Sequence, residues 1–335
     1  MTILITGITG MVGSHLLDFL IKNTDEKIIG ISRWRSPLNN ISQHIPLINT
    51  KKRLFLEHCD IRDSLGVNNV FQKNTFKLIF HLAAQSYPHV SFTNPIETYQ
   101  TNIDGTENIL NASLKYSPNA VIHVCSSSEV FGRVPKEKVP IDEETSFHPA
   151  SPYAISKCGT DLIGRYYAEA YNLNTQITRM FTHTGPRRGD VFMESTFAKQ
   201  IALIENGFQE PLVKVGNLDS MRTIADVRDA VKAYWLLLTT SPEPGSYYNI
   251  GGKKSLKVGQ ILQDLINLST KKNIEYEIDP ERLRPIDADL QIPNISKFSK
   301  KTNWEPEISY LKTLEDLLNY WRAKVKTEGN TFLIR

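Results

Sequence analysis

The sequence predicts an α/β fold: a doubly wound parallel sheet with a smaller α/β substrate-binding cap toward the C-terminal side. Three observations predict it. Six short apolar runs recur through the first 181 residues, each too continuously apolar for a strand with one wet face. Between them lie segments of helical periodicity, the alternation that a parallel sheet covered on both faces requires. After residue 181 the alternation breaks, and Gly/Pro/Arg loops mix with helices and short strands.

The elements follow in order. ILITG (3–7) reads as the first strand, followed by the helix MVGSHLLDFLIK (11–22). KIIGIS (27–32), LFLEHCD (54–60), KLIFHLAA (77–84), AVIHVCSS (120–127) and NTQITRMF (174–181) read as the remaining strands. Two long helices are expected, from about Ile96 to Tyr116 and from about Pro152 to Tyr171. Right-handed crossovers between these pieces build the doubly wound form. THTGPRRGD (182–190) is a loop that leads into an amphipathic helix from about Glu194 to Asn206. LVKVG (212–216) and VRDAVKAYWLLL (227–238) are expected to rejoin the sheet. Two helices, the short strand IEYEID (274–279) and the loop RLRPIDADLQIP (282–293) complete the chain. Residues 1–181 plus about 212–250 then form one domain, and about 182–211 plus 251–330 the cap, with a ligand cleft between them.

The bulk numbers exclude several classes. Of 335 residues, 40% are hydrophobic and 22% charged, as in ordinary globular proteins, and the net charge of +3 is too small to argue for nucleic acid. Cys59, Cys125 and Cys158 are widely spaced, which suits buried thiols rather than a metal site or disulfides. No apolar run approaches the ~18 residues of a membrane span. The first strand begins at residue 3, so no signal peptide is expected, and a cytoplasmic location follows.

The first strand runs into TGITGMVGSHL, with glycines at 7, 10 and 13. Such a turn brings backbone close to a pyrophosphate at a helix N-terminus, where amides and dipole favour negative charge. Gly7, Thr9, Gly10, Met11, Val12 and Gly13 are therefore dinucleotide-binding candidates in a Rossmann domain. The second strand ends in GISRWRSP, with Arg33, Arg35 and Ser36 but no acid. A carboxylate there would hold a ribose 2′-hydroxyl, whereas arginines suit a 2′-phosphate, so NADP is expected. Asp60 and Ile61, together with the Leu82-Ala83-Ala84 turn, are placed to touch the adenine and its ribose.

Tyr153 and Lys157 in SPYAISK share a helix face. A free phenol ionises near ~10, too high for a base at neutral pH. One ammonium at ~4 Å and an effective dielectric of ~20 contributes about 4 kcal/mol, roughly three pKa units. Lys157 is thus expected to make Tyr153 a base toward a hydroxyl, with Ser127 of VCSSSEVFG bonding the reacting oxygen. Glu129 in the same stretch has no task in plain alcohol oxidation.

These features resemble the extended short-chain dehydrogenase/reductase family and, within it, the GDP-mannose 4,6-dehydratase family, over nearly the whole chain. The matching pieces are GISRWRSP, HLAAQSYPHVSF with Tyr99 and DGT after it, SSSEVFG, SPYAISK, GPRRGD, GNLDSMR and LRPIDADL. By that resemblance Arg33, Ser36, Asp60, Leu82, Gln85, Ser86, Tyr99, Lys157, His183 and Arg188 hold the cofactor. Ser127, Glu129 and Tyr153 are implied as the active site, with Ser128 as a proton path. Ser86, Ser127, Glu129, Thr182, Arg222 and Arg284 are implied to meet the substrate. The chain departs from the family pattern at Ser127, where the family has Thr, and at Thr182, where it has a substrate-facing Asn. TIADV also stands where a bulkier segment is usual, and the cap is shorter.

The implied activity is that of a nucleotide-sugar 4,6-dehydratase acting on a GDP-hexose by internal hydride transfer through NADP. Glu129 would be the base that takes the C5 proton. The competing reading is an NADPH-dependent reductase or epimerase of a 4-keto-6-deoxy nucleotide sugar, which needs no such carboxylate. The resemblance also implies a homo-oligomer, dimer or tetramer, with Arg187 reaching a neighbouring subunit.

Overall fold

A computed structural model describes residues 1–329 and 331–332. In chain order the strands are β1 (Thr2–Thr6), β2 (Lys27–Ser32), β3 (Leu54–His58), β4 (Leu78–His81), β5 (Val121–Cys125), β6 (Asn174–Met180), β7 (His183–Thr184), β8 (Leu212–Val215), β9 (Met221–Thr223), β10 (Ala225–Asp226), β11 (Ser246–Ile250), β12 (Ser255–Lys257), β13 (Glu275–Ile278) and β14 (Leu290–Gln291). The helices are α1 (Met11–Asn23), α2 (Ile45–Thr50), α3 (Ser64–Gln72), α4 (Pro88–Thr93), α5 (Pro95–Tyr99), α6 (Gly105–Tyr116), α7 (Pro152–Tyr171), α8 (Met193–Glu205), α9 (Val227–Thr239), α10 (Val258–Asn267), α11 (Ser296–Thr302) and α12 (Tyr310–Glu328).

Seven parallel strands form the main sheet in the order β11-β6-β5-β4-β1-β2-β3. Successive strand residues point to opposite faces, and both faces are apolar. Ile3, Ile5 and Phe80 meet Leu16 and Leu20 of α1 and Tyr234 of α9 on one side. Leu4, Ile79 and Val124 meet Val67 and Phe71 of α3 and Ile109 of α6 on the other. The chain winds in opposite directions from β1 and β4, so a crevice opens at the carboxyl ends of these two strands. The predicted strand tails leave the ladder before their expected ends. Asp60, Leu82-Ala83-Ala84 and Ser126-Ser127 become loops at that crevice instead.

A second core joins α8, α10 and α12. One expectation fails here. LVKV does not rejoin the main sheet but pairs in parallel with β13. Val213 and Val215 are buried in the second core while Lys214 is exposed. A period-two strand of this kind suits a sheet with one covered face, not a central position buried on both. Residues 212–215 therefore pack with the cap. By contrast α9 lies on the main sheet, and β11 adds its edge strand beside β6.

Candidate active site

The glycine turn is a cradle that side chains would fill. Gly7 has φ +70°, and a Cβ there would lie 2.9 Å from the Ala83 backbone. A Cβ on Gly13 would lie 2.3 Å from the Gly7 carbonyl oxygen. Gly10 caps α1 without a side-chain hydrogen bond, so first-turn amides remain open to an anion, Met11 and Val12 among them. The Thr6 hydroxyl accepts the amides of Leu82 and Ala83, both at 3.0 Å, and pins the β4 tail to this turn. The His81 ring bridges Thr6 and Thr106 at 3.0 Å each, and burial lowers its pKa to about 3. Asn40 donates to the Thr9 carbonyl at 3.0 Å.

At the end of β2, Arg33 and Arg35 are exposed and their guanidinium groups form no hydrogen bond or ion pair among the described residues, while the Ser36 amide closes a turn onto the Arg33 carbonyl. Trp34 is exposed beside them, edge-on to His58. Asp60 lies in the loop just past β3, at the crevice. Arg62, two residues on, takes its carboxylate through contacts of 2.7 to 3.2 Å and holds it below the usual carboxylate range. Ile61 is buried under Gly105.

Ser151 caps α7 by accepting from the Ala154 amide at 3.0 Å, and Pro152 opens the helix. Tyr153 and Lys157 are thereby fixed in the crevice, both buried. Ser127 acts on the phenol, opposing the rise of its pKa, and also accepts from the Glu129 amide at 3.2 Å. That bond starts the short 3₁₀ turn 128–131, which carries Glu129 and the buried Ser128. The Glu129 carboxylate is mostly covered, and its charge reaches Tyr153.

The expected depression of Tyr153 by Lys157 is corrected. Burial pushes the phenol above its ordinary value, Cys125 and Glu129 add to that rise, and Ser127 and Arg188 oppose it. Lys157 instead donates to the Cys125 carbonyl at 2.7 Å, and burial lowers its own pKa.

The GPRR loop brings the other cation. Arg188 Nε lies 3.3 Å from the buried Glu194, and its guanidinium lies 3.4 Å from the centre of the Phe192 ring. His183 is lowered to about 3 by burial and then by Arg188, so its ring is neutral; it contacts the Phe181 carbonyl at 3.2 Å. Thr182 is half-buried beside it. Arg187 pairs with Asp18 on α1 at 2.8 Å, while His15 meets the Pro186 carbonyl at 3.0 Å.

From the cap, Arg222 is tightly held by the Met221 and Ala288 carbonyls at 2.9 and 2.8 Å and by Asp287 at 3.2 Å. Arg284 stands 3.8 Å from both Glu129 and Asp287.

Sequence reasoning missed Asn102. It sits in a π-helical turn, 100–104, that interrupts the expected helix between α5 and α6. Its amide holds both main-chain groups of Gln85, at 2.8 and 2.9 Å, and donates to Ser156 at 2.8 Å. The loop with Gln85 and Ser86, and α7 with Tyr153, are thus locked together; Tyr99 flanks the π turn. Glu194 was also missed, because it reads as an ordinary first-turn acid of α8. Among the described residues no cluster of His, Cys, Asp or Glu could hold a metal, and no helix is long and apolar enough to cross a membrane.

Comparison with known proteins agrees with this arrangement. The family profile described as GDP-mannose 4,6 dehydratase matches residues 4–317. A GDP-mannose 4,6 dehydratase of Drosophila melanogaster is 30% identical, over 94% of this chain and 84% of its own length. A GDP-6-deoxy-D-mannose reductase of Pseudomonas aeruginosa is 31% identical, over 75% of this chain and 82% of its own. The structure of RMD from Pseudomonas aeruginosa complexed with NADPH superposes with a TM-score of 0.82 at 25% identity, covering 97% of this chain and 99% of that one.

Proposed function

The chain belongs to the GDP-mannose 4,6-dehydratase family, and from that membership we propose that it is a GDP-sugar 4,6-dehydratase working with NADP. The observation that carries the reading is Glu129, placed beside Ser127 and Tyr153 where alcohol oxidation alone has no use for it.

The crevice fits a dinucleotide. The glycine cradle and the open end of α1 suit its pyrophosphate, and the unpaired Arg33 and Arg35 suit a 2′-phosphate. Lys157, His183 and Arg188 line the inner end. Once bound there, NADP would supply a hydride acceptor at the sugar's C4 and give the hydride back at C6.

The chain's own residues handle the protons. The positive ring of a bound nicotinamide would oppose the rise that burial imposes on the Tyr153 phenol, and Tyr153 then takes the proton of the 4-hydroxyl while Ser127 orients that oxygen. A C4 ketone acidifies the C5 hydrogen, which Glu129 removes as general base. The same carboxyl, reached through Ser128, protonates the C6 hydroxyl as it leaves as water. A proton returns to C5, and the net change is loss of one water.

The purified protein incubated with GDP-mannose is expected to give a product lighter by one water without added reductant. Glu129→Gln is expected to slow this by about 10²–10⁴-fold. The similarity to the Pseudomonas reductase supports a second reading. That reading gains if GDP-mannose is untouched and a 4-keto-6-deoxy GDP-sugar instead consumes NADPH.

A further inference from the structure

We propose that Arg284 serves two competing anions: Glu129, which it faces in this structure, and the diphosphate of the incoming substrate, whose binding draws the guanidinium away and releases the carboxylate. The part concerning release of the base rests on the dehydratase reading; the competition does not.

The geometry is that of a loosely held cation. Arg284 Nη1 is 3.8 Å from Glu129 Oε1 and 3.8 Å from Asp287 Oδ1, beyond hydrogen-bond distance in both cases. Its guanidinium makes no hydrogen bond among the described residues. Arg222 on the same side of the cleft is the opposite case, with two carbonyls and Asp287 all within 3.2 Å. Arg284 also lies between Arg282 and Leu290 on a stretch without helix or strand, with its side chain 27% exposed, so it can turn.

The pair spans the crevice. Glu129 comes from the turn after β5, and Arg284 from the cap segment whose Glu281 carbonyl also contacts His89 at 3.3 Å. The Tyr153 phenol and the Ser127 cap also lie by Glu129, with Asp287 behind Arg284. None of them is a second cation. A diphosphate presents bidentate oxygens and at least two charges to a planar fork of five donors, which two carboxylates 3.8 Å away do not match. Arg284 should therefore transfer to it, and Glu129 becomes available at the moment the sugar is seated.

The test is a double-mutant cycle on GDP affinity with NADP+ present, read by titration calorimetry. Glu129→Gln is expected to tighten GDP binding about three- to fivefold, the worth of one partly exposed ion pair. Arg284→Ala is expected to weaken it by about tenfold or more, and in that background the gain from Glu129→Gln should vanish. Three results would each overturn the proposal: no tightening in Glu129→Gln, no weakening in Arg284→Ala, or a gain that survives in the double variant. The last would mean that Glu129 simply repels the diphosphate. No turnover is measured, so a protein that fails to dehydrate GDP-mannose yet obeys the cycle sinks the dehydratase reading alone.

Discussion

Replacing Asn102 by alanine should damage stability and dinucleotide binding together. Its amide makes three hydrogen bonds, at 2.8, 2.9 and 2.8 Å, to Gln85 N, Gln85 O and Ser156 Oγ. Ser156 keeps its bond to the Tyr153 carbonyl at 2.6 Å, but both main-chain groups of Gln85 lose these partners. The Gln85 groups are part-buried, so losing these two bonds and the one to Ser156, at ~0.5–1.5 kcal/mol each, amounts to about 2–4 kcal/mol. For a chain of this size that is roughly a 5 °C fall in Tm. The loop from Leu82 to Ser86 lines the crevice, so dinucleotide affinity should fall too. Asn102→Asp keeps the acceptor for Gln85 N and loses both donors, and should fall between alanine and the parent. Thermal melts and a fluorescence titration with NADP+ measure both effects. An alanine variant that melts and binds like the parent would refute the view that this side chain ties the loop to α7.

Removing Arg33 and Arg35 together should weaken NADP+ binding by roughly 10–100-fold, the worth of a charge-assisted contact or two, while leaving NAD+ affinity nearly unchanged. Equal losses for both dinucleotides in parallel titrations would remove the 2′-phosphate from the argument. Acid should destabilise the fold well before the carboxylates titrate. His81, His123 and His183 are lowered to about 3, chiefly by burial, whereas in the unfolded chain they titrate near 6.5. Below 6.5 the unfolded chain therefore binds more protons than the folded one. The stabilisation is complete above that value and is lost as pH falls from it toward about 3, at ~1.4 kcal/mol per histidine per pH unit. Urea midpoints should fall steeply from pH ~7 to ~5.5; a flat profile would show that the buried rings take up protons without opening the fold.

What was legible in the sequence was what local patterning controls. KIIGIS and the helix Pro152–Tyr171 form with the bounds expected, the helix because Ser151 and Pro152 start it and Asn172, at φ 54°, ends it in the left-handed region. Which sheet a short strand joins is set by what covers its second face, so LVKV was assigned to the wrong one. The π turn at Asn102 was not legible because its residues read as uninterrupted helix, and the register there depends on partners distant in the chain. One such partner is Thr160, whose hydroxyl donates to the Asn102 carbonyl at 2.9 Å. The setting of the Tyr153–Lys157 pair was half legible. Its spacing put Tyr153 and Lys157 on one face, but the ammonium's partner is a backbone carbonyl, which no residue type announces.

The position of β11 bears on how the chain is made. The inner edge of β6 is covered by β5 as soon as the first 180 residues exist, but its outer edge is sealed only by Ser246–Ile250. On the ribosome, the whole segment from the GPRR loop through α9 emerges while that edge offers bare amides and carbonyls to any passing strand. A stalled or clipped product ending ahead of Ser246 therefore leaves the edge of β6 bare, whereas in the finished protein that edge is paired with β11.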